Sequence, residues 1–131
     1  KNYLVLGSSD KSEYLIGYFT KYGDGASDLV PIISLYKLQV RGIAKFLGVP
    51  QSVIEKKSSP HLWKEHEAEK ELGMSYEDID SILYCIFEKK FSIEKTAETL
   101  QIEKQIVDKV YQLHLKSIHK RETQQKPFED K

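Results

Sequence analysis

The 131-residue sequence holds one cysteine, one methionine and one tryptophan, and its 20 Lys and Arg balance 20 Asp and Glu. A single thiol cannot close an internal disulfide, which suits a reducing cytosol; Cys85, inside an apolar helical run, reads as a packing residue. Zero net charge leaves no global field to draw the chain to nucleic acid or a membrane. No apolar run approaches the ~18 residues of a membrane span, and nothing reads as a signal peptide. Strands are scarce as well. The only candidates are Asn2 to Leu6, whose Tyr3-Leu4-Val5-Leu6 has the composition of a buried strand, and Leu29 to Ser34, where Pro31 favours an edge or an extended segment. Two strands cannot bury a parallel sheet on both faces, so the first quarter reads as the last piece of a sheet whose other strands lie elsewhere. The expectation is a C-terminal part of a longer chain.

The remaining composition, 40% hydrophobic and 31% charged, is that of an ordinary globular protein of about one domain. Residues 1–121 read as that domain, and 122–131 as a polar, mobile tail. From residue 35 onward the pattern is helical, so the fold class expected is α/β with most of its helix late in the chain.

The densest signal lies between Gly7 and Asp28. Gly7 permits a sharp turn at a strand's C-terminal end, where open α/β sheets hold their ligands. Ser8 and Ser9 are candidate caps for a helix through Ser12, Glu13, Tyr14, Leu15 and Ile16, whose free N–H groups would favour a phosphate. Glu13 adds a carboxylate beside that anion, and a carboxylate with phosphate oxygens suits Mg2+. Lys21, Gly23, Asp24, Gly25 and Asp28 follow, mixing charge with glycines that let backbone approach a ligand closely. This reads as a nucleotide loop.

Ser34 is a candidate cap for a helix from about Leu35 to Leu47, with Val40, Ile43, Ala44 and Leu47 on one face. Lys37 falls in its first turn, where a cation gains nothing from the helix dipole; it reads as a phosphate ligand or an exposed lysine. A short turn, Gln51 to Ile54, leads into a polar stretch from Glu55 to Gly73, read as a lid. His61 and His66 stand there among several glutamates, but their spacing matches no zinc pattern. Trp63 reads as an anchor that packs the lid down. Ser75 starts a helix whose Ile79, Ile82, Leu83, Ile86 and Phe87 form a core stripe. Two more helices follow, capped near Ser92 and broken around Gln101-Ile102. With a modest basic excess over 89–121, residues 92–118 also have the outline of a helix-turn-helix nucleic-acid reader, although Glu103 and Asp108 on the second helix disfavour it against a plain packed pair.

The segments Gly7-Ser8-Ser9-Asp10-Lys11-Ser12-Glu13 and Gly17-Tyr18-Phe19-Thr20-Lys21-Tyr22-Gly23-Asp24-Gly25-Ala26-Ser27-Asp28 resemble the G-T-x-x-x-x-E and G-[YF]-F-T-K-[YW]-G-D-G-x-x-D motifs of the ammonia-dependent NAD+ synthetases. The likeness continues through Pro31, Leu35-Tyr36-Lys37, Leu47-Gly48-Val49-Pro50, Leu62-Trp63, Glu71-Leu72-Gly73 and Tyr76 to His119-Lys120-Arg121. It implies the C-terminal part of a Rossmann-like, adenine-nucleotide α-hydrolase-like parallel sheet fold. It also implies ATP-dependent amidation of deamido-NAD+ with ammonia through an adenylated intermediate, in a cytoplasmic homodimer. By the same resemblance Ser8, Lys37 and Ser59 contact ATP and Glu13 binds Mg2+. Lys21, Asp28, His119 and Lys120 hold deamido-NAD+, Tyr18 or Phe19 stacks on the pyridine ring, and Asp24 lies near the ammonia, where it can accept a proton or merely bond its own turn.

The family's S-G-G-x-D-S pyrophosphate cradle is absent from this sequence, so the chain alone is expected to lack the activity and, with sheet edge and helix face uncovered, to self-associate or pair with the missing half. In the lid the family reads G-Q-T where this chain has Glu65-His66-Glu67. Loss of that glycine should stiffen the lid, and two added carboxylates should repel bound phosphates. A decayed or split homologue kept for binding or assembly therefore stands beside the enzyme reading.

Overall fold

The computed structural model describes residues 2–60 and 62–122; the expected tail, apart from Glu122, and His61 lie outside the described residues. The helices are α1 (Lys11–Ile16), α2 (Lys37–Phe46), α3 (Gln51–Ile54), α4 (Ala68–Leu72), α5 (Tyr76–Leu83), α6 (Ile93–Leu100), α7 (Lys104–Lys116) and α8 (Ile118–Arg121). A π-helical turn over Tyr84–Glu88 extends α5. No helix among the described residues is long and apolar enough to cross a membrane.

The core follows the helical periodicity. Ile79, Ile82 and Leu83 of α5 are completely buried with Tyr76, Val107 and Val110, and Ile16 and Leu72 close the cluster. Ile86 and Phe87 pack half-buried against it, because the π turn rotates the end of the stripe. Cys85 is buried, where desolvation raises its thiol pKa, as a packing role requires. The pair α6 and α7 packs on this core through Thr96, Val107 and Val110. Lys104 pairs with Glu94 at 2.6 Å, and Lys109 donates to the Leu72 carbonyl at 2.6 Å. Two lysines of this pair are thus engaged within the chain.

The first quarter departs from expectation. Among the described residues no strand forms; Leu6 and Leu29 make a single parallel bridge. Its direction is the one expected. However, Tyr3, Leu4, Val5 and Leu6 are 79%, 74%, 56% and 65% exposed, not buried, because no neighbouring strand or helix covers them. The ladder also stops early: the Asp28 carboxylate takes the Val5 N–H at 2.8 Å. The expected apolar face of α2 is open too, with Ile43 and Leu47 exposed and no α2 residue fully buried.

Three local expectations need correction. The cap of α1 is Asp10, not Ser8 or Ser9: its carboxylate accepts from Glu13 N at 2.9 Å, and Glu13 accepts back from Asp10 N at 3.3 Å. Such a reciprocal box satisfies two otherwise orphaned donors. The second helix begins at Lys37 after Tyr36, whose N–H donates to Gln39, rather than after Ser34. The lid stretch contains α4, made of strong helix formers and closed by left-handed Gly73.

Candidate functional site

Ser8, Ser9, Glu13, Tyr18, Asp24, Ser58 and Ser59 line one cavity of about 330 Å³. The turn before α1, α1 itself, the loop after it and the lid each contribute, so residues distant in sequence share one space. Glu13 sits in the first turn of α1. Burial, and then the neighbouring Asp10 carboxylate, raise its pKa even though Lys37 pulls the other way.

Lys37 stands behind Glu13 rather than in the cavity wall. Its ammonium lies 2.5 Å from Asp10 Oδ2 and 2.7 Å from Glu13 Oε1, and 5.0 Å from the centroid of the Tyr76 ring. Burial alone would lower the Lys37 pKa; the carboxylates of Glu13 and Asp10 outweigh it and raise the pKa. Asp10 is 1% exposed while Glu13 opens on the cavity, so the trio is a partly buried site with more negative than positive charge. Among the described residues no group of three or more His, Cys, Asp or Glu is placed to hold a metal ion. A hard cation that keeps waters and takes phosphate oxygens needs only one or two carboxylates, and Glu13, opening on the cavity, fits that demand.

A second cavity, of about 420 Å³, is lined by Tyr18, Phe19, Thr20, Asp24, Pro60, Leu62, His66, Glu71 and Lys120. Asp24 borders both cavities, and its carboxylate accepts from Thr20 N at 2.9 Å and the Thr20 hydroxyl at 3.2 Å, closing its own turn. Lys120 donates to the carbonyls of Gly17 and Phe19 at 2.7 and 2.9 Å, while Lys21 donates to the His119 carbonyl at 2.5 Å. Arg121 adds bonds to the carbonyls of Tyr14 and Leu15 at 3.1 and 3.0 Å. The cations of α8 thus cap the C-terminal carbonyls of α1, where positive charge is favoured. The close fit requires Gly17, at φ +73° and with Ser117 Cβ only 2.0 Å from where a Cβ would stand.

Of the residues expected to hold ligands, Ser8, Glu13, Ser59 and Asp24 converge on the first cavity and Lys120 on the second. Lys37 reaches the first site through Glu13. Lys21, Asp28 and His119 line neither cavity. Lys21 is spent on a carbonyl, Asp28 on Val5 N, and the exposed His119 ring on the Lys116 carbonyl at 3.1 Å. Of the two aromatics, Phe19 stacks on Tyr14 at 5.8 Å, whereas Tyr18 faces both cavities.

Sequence reasoning missed Asp10, although D-x-x-E before an apolar run is a readable capping signature. It also missed the trio Tyr18, His66 and Glu71. The Tyr18 hydroxyl donates to Glu71 at 2.6 Å, and His66 Nε2 lies 2.7 Å from the same carboxylate. Bonds from Tyr18 and His66 lower the Glu71 pKa, and burial raises that of Tyr18. Trp63 does not anchor the lid by burial: it is 55% exposed and stacks on the buried His66. Neither Glu65 nor Glu67 lines either of these two cavities, and Glu67 pairs with Lys57 and Lys70 at 3.0 and 3.1 Å. Glu65 keeps φ +61°, the conformation that glycine takes most easily.

The sequence profile of the NAD synthase family matches residues 1–124. The chain is 51% identical over 120 residues to an NH3-dependent NAD+ synthetase of Staphylothermus marinus, covering 92% of this chain and 44% of that protein. It is 54% identical over 118 residues to that of Aeropyrum pernix, covering 90% and 41%. It therefore spans less than half the length of these curated relatives. The fold superimposes on an NMN synthetase from Francisella tularensis with a TM-score of 0.77 at 32% identity, over 96% of this chain and 47% of that one. With an NH3-dependent NAD synthetase from Campylobacter jejuni the TM-score is 0.71 at 29% identity, over 95% and 45%. A match over nearly the whole sequence, on the same motifs that build the first cavity, establishes that this chain belongs to the NAD synthase family.

Proposed function

We propose that this chain forms the C-terminal part of an enzyme that uses ATP and ammonia to amidate deamido-NAD+. In that reaction ATP activates the nicotinate carboxylate with loss of pyrophosphate, and ammonia displaces AMP from the adenylate. The observation that supports this most is the convergence of Ser8, Glu13, Ser59 and Asp24 on one cavity, with Lys37 held directly behind Glu13.

In this reading the hydroxyls of Ser8 and Ser59 bind ATP. Glu13 holds Mg2+, which when bound screens the charge of the phosphates. Lys37 exchanges one carboxylate contact for a phosphate oxygen when the nucleotide enters. Asp24, at the border of the two cavities, accepts a proton from the incoming nitrogen, and Tyr18 offers its ring to the pyridine. Lys120, which lines the second cavity while donating to two carbonyls, offers its remaining N–H to deamido-NAD+. Lys21, Asp28 and His119 reach that substrate only if the carbonyls and N–H groups they now serve are released. The exposed segment from Tyr3 to Leu6 is the outer part of a parallel sheet completed by the rest of the protein. The chain alone does not catalyse the reaction, because it carries no S-G-G-x-D-S cradle for pyrophosphate. The whole protein works in the cytoplasm as a homodimer.

The test is an end-product assay on the full-length protein with ATP, Mg2+ and ammonium, offering deamido-NAD+ and nicotinate mononucleotide separately. Formation of NAD+ with equal AMP and pyrophosphate supports the reading. Preference for the mononucleotide would reassign the substrate, as the likeness to an NMN synthetase allows, and no amidation of either would overturn it.

A further inference from the structure

The position of Lys37 depends on how α2 is attached, and apolar packing supplies little of that attachment, since no residue of α2 is fully buried. Its first turn is held by polar groups from two other helices. Lys37 N donates to the Ser12 Oγ of α1 at 2.9 Å, and Leu38 N donates to Asp80 Oδ2 of α5 at 2.8 Å. The Ser12 hydroxyl donates in turn to the other oxygen of Asp80. Ser12 is 0% and Asp80 5% exposed, so this carboxylate is buried; among the described residues no basic side chain bonds to it, and its partners are the hydroxyl and the amide. Burying a carboxylate this way is expensive unless its oxygens are fully used. A helix ordinarily satisfies its first amides with its own N-cap, yet Tyr36 makes no side-chain cap bond. Asp80 and Ser12 perform that task from outside the helix.

We propose that Asp80 is a positioning residue for Lys37: through Ser12 it fixes the first turn of α2 and hence where the Lys37 ammonium can reach. The head of the side chain is pinned separately by Asp10 and Glu13, so Asp80 governs the backbone end. The consequence for ATP rests on the synthetase reading above. The consequence for the α2 amides does not.

The experiment uses the full-length protein with Asp80→Ala, Asp80→Asn and Ser12→Ala, and reads two quantities. The first is hydrogen exchange of the peptide covering residues 36–39. Asp80→Ala is expected to speed it about tenfold or more relative to the α7 core, with Asp80→Asn between, since an amide oxygen can still accept from Leu38 N. The second is the KM split: the ATP KM should rise about tenfold or more in Asp80→Ala and the deamido-NAD+ KM less than about twofold, because displacement of a positioned group is felt by the substrate it serves. Should Asp80→Ala fail to fold, Ser12→Ala carries the same two expectations. Unchanged exchange at 36–39, or equal rises in both KM values, would overturn the proposal. An unsubstituted protein with no amidation activity would count against the synthetase reading alone, and the exchange result would still decide the role of Asp80.

Discussion

Lys37 and Glu13, 24 positions apart in sequence, meet with their charged atoms 2.7 Å apart, and Asp10 takes the other side of the same ammonium. Among the described residues, Lys37 is the cation paired with these two largely buried carboxylates. Lys37→Met would strand both of them, and breaking such a pair is expected to cost about 3 kcal/mol. Urea denaturation of the two proteins measures this. A loss below about 0.5 kcal/mol would show that the trio contributes nothing to folding.

Glu65 holds a left-handed backbone conformation at φ +61°, at the position where the motif G-Q-T has glycine. A side chain there costs about 1–2 kcal/mol, partly offset by the greater unfolded-state freedom of glycine. Glu65→Gly should therefore stabilise the protein by about 1 kcal/mol, seen as a rise in Tm of several degrees. An unchanged or lower Tm would mean that the Glu65 side chain makes contacts worth as much as the strain.

Gly17 presents the opposite case. Its φ of +73° and the Ser117 Cβ at 2.0 Å leave no space for a methyl group. Gly17→Ala should destabilise by about 2 kcal/mol or more and loosen the bonds that Lys120 and Arg121 make to α1. Ser117→Ala should not rescue it, because the clash is with Cβ. Thermal unfolding of the single and double variants decides this, and rescue would contradict the geometry.

His114 donates Nδ1–H to the Leu15 carbonyl at 2.9 Å in a partly buried site. Burial lowers its pKa below 6.5, with the nearby Arg121 acting in the same direction and the Leu15 bond opposing. As pH falls through 6.5 the unfolded chain takes up its proton first, so stability is full above that value and declines until the lower folded pKa is passed. His114→Gln should show a smaller Tm drop than the unsubstituted protein between pH 7.5 and the acid side of 6.5. Equal drops would remove His114 as a cause.

How far the sequence reveals the fold varies by element. The stripe Ile79, Ile82 and Leu83 was readable because helical periodicity and burial coincide there. Tyr3 to Leu6 read as a buried strand because composition records the surroundings a segment is suited to, and among the described residues a single bridge, Leu6 to Leu29, is formed. That Ser8, Glu13 and Asp24 would border one cavity was legible because they lie in one continuous motif. Their link to Ser59 came only from the resemblance. Asp80 was not legible at all. Its partners Ser12 and Leu38 lie far away in sequence, and an acid within an amphipathic helix looks solvent-facing until the fold buries it.

The account turns on Glu13 and its cavity serving ATP. The most direct measurement is the steady-state kinetics of Glu13→Gln in the full-length protein with ATP and Mg2+ varied, alongside equilibrium binding of deamido-NAD+. The account predicts that kcat/KM for ATP falls about a hundredfold or more while the deamido-NAD+ Kd changes less than about threefold. A variant with ATP kinetics within twofold of the unsubstituted enzyme would contradict it.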